Sequence, residues 1–373
     1  TTGLYETFVG AYAGAGNTTG EGNSALGVQA LETNTTGNYN TAIGRFTLKS
    51  NTTASNNTAV GYQSGYNNTT GQFNVLLGYQ AGYRSAGAGS VGDASVFIGY
   101  TAGYANQGNN NVGIGNGSMN ANTTGTFNVS VGQGSLSANT SGSYNTSTGV
   151  GALANNTTAN QNTAVGYQAL TANTTGANNT AVGKSALGSN TTGTQSVAIG
   201  VGSVEDTTTG THLTGVGFKA LHQNTTGNYN VAVGHASLEA NTTASYNTAL
   251  GYQAGYSNTT GAAQTFIGVN AGYSVTTGTD NTMLGADAGY ATTTGNYNTG
   301  LGKQALRFNT TGVNNTAVGY QAGYSCTTAT ELVAIGYNAG AVITTGAGNT
   351  MLGSRAGNYI TTLTTGVYNV IVG

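Results

Sequence analysis

The side chains able to bind a metal or to catalyse a reaction are few and scattered through this 373-residue sequence. The three histidines, His212, His222 and His235, occupy different places in the repeat described below, and no cysteine or carboxylate recurs beside them at ligand spacing. Asp280 and Asp287 could form an acid–base pair, although two solvated surface charges are the simpler interpretation. The sequence therefore predicts no catalytic site, no metal, no cofactor and a protein that is not an enzyme.

Two further motifs point to no chemistry of their own. Gly115-Asn116-Gly117 arises from the repeat and lacks the strand–loop–helix context in which glycine-rich loops bind phosphate. The single cysteine, Cys326, excludes an internal disulfide framework.

A glycine that returns with a fixed period organises the whole chain. It occurs 22 times between Gly10 and Gly373, and 18 of the 21 intervals are 17 residues. A fixed period of this size is typical of a solenoid or an array. We number each repeat so that this glycine is position 17 and the residue after it is position 1. The constant glycine predicts a structural corner where a side chain would not fit, for example at Gly44, Gly61, Gly166, Gly183, Gly200, Gly234 and Gly319.

Within the repeat, positions 13 to 16 are predicted to form a short strand. Position 14 is Thr, Val or Ser, and position 16 is Val, Ile or Leu except at Thr148. These two positions share one face of a strand, so we expect both to point into the coil. We expect the core to be completed by Leu at position 4, as in Leu170, or by Tyr at position 5, as in Tyr256, although a Tyr could also be a surface contact. Position 3 is always small, as in Ala169.

Seventeen residues are too few for a helix and a strand with their turns. The sequence therefore predicts an all-β parallel β-solenoid, or β-roll, of about 22 coils of 17 residues. We expect one continuous array over 1–373, with irregular coils at 79–115 and 354–373 where the interval changes. The array is interpreted as a segment of a longer fibre.

Asparagine columns leave two interpretations open. Position 7 is usually Asn followed by Thr at positions 8 and 9, the N-glycosylation pattern of exposed asparagines, as at Asn34, Asn122, Asn173 and Asn224. The alternative is a ladder of stacked amides bonded from coil to coil. Val275, Cys326 and Ile343 replace Asn at this position, which favours a buried ladder.

The composition limits the partners. Charged residues are 5% of the chain and the net charge is −2, so no basic patch exists for nucleic acid or an anionic membrane. No apolar run is long enough for a transmembrane helix. A surface rich in Asn, Thr, Gly and Tyr favours an extracellular location, on a cell surface, on a secreted filament or on a virion.

The motifs Ser-Val-Ala-Ile-Gly at 196–200 and Leu-Val-Ala-Ile-Gly at 332–336 resemble the head repeat of trimeric autotransporter (YadA-like) adhesins. The longer unit at 162–170, Asn-Thr-Ala-Val-Gly-Tyr-Gln-Ala-Leu, is similar to repeat arrays of phage tail fibres and bacterial surface proteins. The resemblance implies a left-handed roll and three chains packed together. The adhesin repeat is shorter than 17 residues, and nothing in this chain resembles the family's stalk, anchor or receptor-binding tip.

These observations predict the structural shaft of an extracellular fibre, a phage tail fibre or a bacterial adhesin or filament, without catalysis. Self-association is expected as a parallel homotrimer with position 3 and the adjacent Leu or Tyr near the interface. A cell-surface glycan or receptor would be bound through parts outside this chain. The alternative is a repetitive binding surface, either a glycan-decorated or glycan-binding fibre or an ice-binding face formed by the Thr columns.

Overall fold

The structure, a computed structural model, describes residues 3–83, 90–359 and 364–373. The chain forms two compact units, Thr1–Ser185 and Ala186–Gly373, and each is described by itself. The described residues contain three-residue β-strands joined by turns, and no α-helix occurs among them.

The first unit contains eleven strands, one from each repeat. They are β1 (Thr7–Val9), β2 (Ser24–Leu26), β3 (Thr41–Ile43), β4 (Thr58–Val60), β5 (Val75–Leu77), β6 (Val96–Ile98), β7 (Val112–Ile114), β8 (Val129–Val131), β9 (Thr146–Thr148), β10 (Thr163–Val165) and β11 (Thr180–Val182). Each strand pairs in parallel with the next, and equal repeat positions face each other, as Ala164 faces Ala181.

The second unit has the same construction. Its strands are β12 (Val197–Ile199), β13 (Thr214–Val216), β14 (Val231–Val233), β15 (Thr248–Leu250), β16 (Thr265–Ile267), β17 (Thr282–Leu284), β18 (Thr299–Leu301), β19 (Thr316–Val318), β20 (Val333–Ile335), β21 (Thr350–Leu352) and β22 (Val370–Val372). The parallel in-register pairing of strands about 17 residues apart confirms the predicted all-β parallel β-solenoid.

The irregular intervals do not disturb the strand register. Val75 pairs with Val96 across the long interval, and Val96 pairs with Val112 across the short one. Thr350 likewise pairs with Val370 near the end of the chain. Residues 84–89 in the long interval and residues 360–363 in the last interval lie outside the described residues.

The facing of the strand is opposite to the prediction. Position 15 points into the coil, and positions 14 and 16 point out: Ala164 is fully buried, whereas Val165 is 38% exposed. The strand is only three residues long, so one inward side chain per coil is all that alternation allows. Ala is the most common residue at this position in the narrow interior, and the β-branched residues lie on the outer face of the sheet.

Position 4 provides the main core side chain and has an unusual backbone. Leu170 is fully buried at a φ of +51°, in the left-handed region. Where position 4 is Gly, position 15 of the same or the preceding coil is often large, as at Leu76, Phe97, Phe266 and Met283. The prediction that Tyr at position 5 fills the core is wrong, because Tyr256 and its equivalents are only partly buried.

The small residue at position 3 also lies inside the coil. Ala169 and Ala186 are fully buried by their own chain. The prediction that position 3 lies at an interface between chains is therefore wrong, since its small size is explained by the limited room inside the coil.

Candidate functional surfaces

The constant glycines stand where each coil turns out of its strand. Gly44, Gly61, Gly166, Gly183, Gly200, Gly234 and Gly319 have φ angles between +130° and +136°, which L-residues rarely adopt. A Cβ on Gly44 would lie 2.6 Å from the carbonyl oxygen of Gly61 in the next coil, and a Cβ on Gly166 would lie 2.6 Å from that of Gly183. Glycine is therefore required both by the backbone conformation and by the close approach of the neighbouring coil.

The asparagines at position 7 form a buried ladder. Asn34, Asn122, Asn173 and Asn224 have no exposed surface. The amide of Asn173 donates to Oδ1 of Asn156 at 2.9 Å and to the carbonyl of Gly176 at 3.0 Å. Each side chain thus links two coils and closes its own turn, and the folded chain leaves no room for a glycan on these nitrogens.

A second asparagine ladder runs through position 13. The amide of Asn315 donates to Oδ1 of Asn298 at 3.0 Å and to the carbonyl of Ala329 at 2.8 Å. Together the two columns provide hydrogen bonds for backbone groups that face the interior of the turns, where water is excluded.

The threonine columns differ from each other. At position 8 the hydroxyl donates to the carbonyl of the equivalent Thr in the next coil, as Thr225 Oγ1 does to Thr242 O at 3.0 Å. At position 9 the side chain is exposed, as in Thr226. The hydroxyls at position 8 are therefore engaged within the chain, and position 9 is the more exposed of the two columns.

Position 11 carries a structural role that the sequence interpretation missed. Asn228 Oδ1 accepts a hydrogen bond from the backbone N–H of Thr211 at 2.8 Å, and Ser245 Oγ accepts one from Asn228 N at 3.0 Å. Asn296 does the same for Thr279. The signal was present in the recurring Asn and Ser at this position, which are residues that satisfy backbone donors in turns.

The residues considered for catalysis or metal binding are not brought into one site. His212 stacks on Tyr229, and His235 stacks between Phe218 and Tyr252. His222 Nδ1 lies 3.1 Å from the carbonyl oxygen of Gly202. In the three described segments, no group of three or more His, Cys, Asp or Glu side chains is placed to hold a metal ion.

The two aspartates have different surroundings. Asp287 lies 3.9 Å from Nε of Arg307 and accepts a hydrogen bond from Asn270 at 3.3 Å. Asp280 is exposed at position 12. These are the contacts of surface charges, and the structure shows no contact between the two carboxylates.

The corner glycine of the Gly115-Asn116-Gly117 motif follows strand β7, and the other two residues of the motif lie in the turn after it.

Cys326 replaces Asn in the position 7 ladder. Its Sγ lies 3.9 Å from Oδ1 of Asn309, and burial raises the pKa of its thiol to about 12. The thiol is therefore protonated and shielded in the folded chain.

A polar depression of about 300 Å³ lies beside the first irregular coil. It is lined in part by Thr70, Ser90, Asp93, Gln107 and Asn109. The polar groups already have partners in the chain: Ser90 Oγ accepts from Thr70 N at 2.6 Å and Asp93 Oδ1 accepts from Gln72 N at 2.8 Å. The depression therefore has no free buried charge with which to select a ligand.

The outer face of the sheet is an apolar surface. We call it the sheet face and define it by the side chains at positions 14 and 16 together with the neighbouring position 1. Its exposed members include Val165, Val182, Ile199, Leu250 and Ile335 at position 16, and Tyr62, Tyr167 and Tyr252 at position 1. Positions 14 and 16 are Thr, Val, Ser, Ile or Leu in every strand, so this strip is uncharged along each unit, whereas position 1 also includes Arg45, Lys184 and Lys303.

Aromatic side chains stack in three columns, at positions 1, 5 and 12. Tyr256, Tyr273 and Tyr290 stack with ring centroids 5.1 Å apart and planes within 7° of parallel. Burial raises the pKa of Tyr273, and the neighbouring phenols raise it further. Because the ring faces inside a column are covered by the next ring, they cannot stack on a sugar, which argues against glycan binding by these tyrosines.

No protein-family model matches the chain, and no curated protein sequence is significantly similar to it. In the described part of the chain, no helix has the length and apolar character needed to cross a membrane.

Proposed function

We propose that the chain is the structural shaft of an extracellular fibre or filament, such as a phage tail fibre or a bacterial surface adhesin, and that it has no catalytic role. The observation that carries this proposal is the regularity of the coil-to-coil bonding. Asparagines at positions 7 and 13, threonines at position 8 and glycines at position 17 make the same contacts in coil after coil within each unit. Such repetition builds length and stiffness rather than a unique site.

The resemblance to tail-fibre and adhesin repeats supports the same function. The low charge and the Asn, Thr and Tyr surface favour an extracellular location. A receptor or a cell-surface glycan would then be bound by parts outside this chain.

Immunogold electron microscopy of the intact cells or virions that produce the protein tests this proposal. Antibodies against the folded chain should decorate thin projections or filaments at the surface, at regular intervals along their length. Labelling confined to the cell interior, or to material without filaments, would rule out a shaft.

The fibre is proposed to assemble through the sheet face. Positions 14 and 16 stay Thr, Val, Ser, Ile or Leu along the chain although they face outward. A solvated surface has no reason to exclude Lys and Glu so completely. A long exposed apolar surface is typical of an interaction site, and with few charges to prevent it, we propose that copies associate side by side as a parallel homotrimer.

The size of the sheet face is adequate for such contacts. Eleven strands spaced about 4.8 Å apart give a face about 50 Å long in each unit, and positions 14 to 1 span about 10 Å. In a trimer this face of about 500 Å² is shared between two partners, so one unit gives about 500 Å² of buried surface per contact. The two units of the chain together give about 1,000 Å² per contact, which is at the lower limit of specific interfaces. In-register stacking favours a parallel arrangement, because the apolar columns then align over their whole length.

Sedimentation of the full chain tests the assembly. The parent should sediment as a trimer, and the double variant Val165→Asp with Val182→Asp should dissociate without unfolding. The matched control is Gln168→Asp, an exposed position outside the sheet face, which should leave the trimer intact. A monomeric parent, or a trimer that tolerates both aspartates on the sheet face, would end the assembly proposal while leaving the shaft proposal open.

An ice-binding face is the second candidate, because the threonine column at position 14 faces outward. Position 14 is Thr in seven of the nine strands from β13 to β21, and its side chains lie beside those of position 16. The Leu and Tyr side chains between these threonines favour association instead. Thermal hysteresis in a freezing assay, lost in Thr282→Lys with Thr299→Lys, would favour ice binding.

A further inference from the structure

The side chains of this protein that oxidants reach most easily are tyrosines. The sequence has 23 Tyr, no Trp and one Cys. Cys326 and the three methionines, Met119, Met283 and Met351, are fully buried, and oxidation of sulfur depends on exposure. One-electron oxidation at the surface will therefore fall mainly on phenols.

Many of these phenols face a second phenol exactly one coil away. Eight Tyr–Tyr pairs in the described residues have ring centroids 5.0 to 5.5 Å apart and planes within 5° to 22° of parallel: Tyr62–Tyr79, Tyr66–Tyr83, Tyr79–Tyr100, Tyr83–Tyr104, Tyr229–Tyr246, Tyr256–Tyr273, Tyr273–Tyr290 and Tyr320–Tyr337. The in-register backbone fixes both members of each pair, so neighbouring rings stay within reach of each other.

We propose that these pairs are sites of oxidative coupling, in which dityrosine bridges link consecutive coils of one chain. The co-reactant is hydrogen peroxide acting through a peroxidase. Each phenol gives up one electron and its hydroxyl proton, and peroxide takes up both electrons and both protons to form two water molecules.

The two phenoxyl radicals then join through the ring carbons ortho to their oxygens. The two ring hydrogens move to the oxygens and restore both phenols, so each bridge removes two hydrogen atoms from the chain. The bridge links residues one repeat apart in a protein that has a single cysteine and hence no internal disulfide.

The arrangement favours coupling within the chain over coupling between chains. Two groups held in contact react as if each were present at very high local concentration. Tyr229 and Tyr246, which are 48% and 65% exposed, also remain open to solvent for oxidation. A tyrosine such as Tyr167 has Val150 and Lys184 at the same position of the adjacent repeats and therefore has no phenol with which to couple in this way.

The test treats the dilute, folded full chain with horseradish peroxidase and hydrogen peroxide. Dityrosine fluorescence should appear in the chains that separate as monomers under denaturing conditions. The mass of these chains should fall by two hydrogen atoms per bridge. Digestion and mass spectrometry should find Tyr229 bonded to Tyr246, and Tyr273 bonded to Tyr256 or Tyr290. The same treatment in denaturing urea should reduce these bridges at least several-fold.

A substitution of the central ring makes the assignment specific. Tyr273→Phe preserves the stacking but removes the shared phenol, so bridges within Tyr256–Tyr290 should be lost while the Tyr229–Tyr246 bridge stays as an internal reference. Tyr167→Phe, the control, should change neither. Bridges found only between chains, bridges at Tyr167 as frequent as those at stacked pairs, or bridge yields equal in folded and unfolded chain would overturn the proposal.

Discussion

The ring of Phe97 occupies the space that a side chain on Gly103 would need. A Cβ built on Gly103 would lie 2.6 Å from Cδ2 of Phe97, far inside normal contact distance. Phe266 stands against Gly272 in the same way, and Met283 against Gly289. Positions 4 and 15 therefore share one small core volume, which is filled by Leu and Ala in some coils and by Gly with a large residue in others.

Gly103→Leu is expected to lower the free energy of unfolding by about 1–3 kcal/mol through overpacking against Phe97. The backbone is not the cause, because Gly103 has a φ of +59° and Leu170 adopts a similar +51° at the same position. Phe97→Ala alone should cost about 3–5 kcal/mol. The loss of unfolding free energy in the double variant, measured by urea unfolding, should be smaller than the sum of the two single losses by about 0.5–3 kcal/mol. Strictly additive losses would show that the two positions do not share a volume.

Gly132→Ala is expected to destabilise the chain strongly, whereas Gly134→Ala, two residues away, is expected to be mild. Gly132 has a φ of +139°, and its Cβ would lie 2.6 Å from the carbonyl carbon of Gly149. Gly134 has a φ of +63° with nothing within 4 Å, and Gln168 takes a similar conformation at the same repeat position. Thermal unfolding of the two variants measures the difference, and equal losses would mean that the close coil approach is not the reason for the constant glycine.

The sequence predicts the solenoid, its period and the strands, because a column repeated 22 times reports on geometry more strongly than any single residue. It does not predict the facing, because a three-residue strand satisfies alternation equally well with position 15 inside or with positions 14 and 16 inside. The size of the side chain at position 15 carried the missing signal. This residue is Ala in the coil of Leu170, but Phe in the coil of Gly82 and Met in the coil of Gly272. Such compensation between two columns indicates that both lie in the same core.

Ala164→Asp is expected to disrupt the fold, and Val165→Asp is expected to leave it intact. Position 164 is fully buried, so its carboxylate would have neither water nor a partner, and the unpaired charge is costly. Val165 is on the outer face of its own chain, where a carboxylate is hydrated once the copies separate. Circular dichroism during heating should show a large loss of stability for the first variant and a small one for the second; the opposite order would mean that the facing is reversed.

Mass spectrometry of native material is expected to find Asn173 and Asn224 without glycans. Both amides are buried and bonded to the adjacent coil. Asn173→Ala should also lower stability by about 1–3 kcal/mol, because Asn156 and Gly176 lose a buried donor. Thr175→Ala, at an exposed position of the same turn, is the control and should have little effect. Glycans on most position 7 asparagines would require an open ladder.

The thiol of Cys326 is expected to resist a disulfide-exchange reagent at pH 8 in the folded chain and to react fully after unfolding in urea. The thiolate is the reactive form, and burial raises the pKa of this thiol from 9.0 to about 12. The matched variant is Cys326→Asn, which restores the residue most common at position 7 and should fold with the amide ladder extended from Asn309 by one coil.

The same pKa shift predicts how the stability of the chain depends on pH. Below pH 9.0 the thiol is protonated in both the folded and the unfolded chain, so its contribution to stability is complete. Between pH 9.0 and about 12 the unfolded chain releases the proton and the folded chain retains it, so stability falls as pH rises. The comparison with Cys326→Ala cancels the contribution of every other titratable group. The difference in unfolding free energy between parent and variant should therefore be flat below pH 9.0 and decline above it. A difference that stays constant up to pH 11 would mean that the folded thiol ionises as readily as an exposed one.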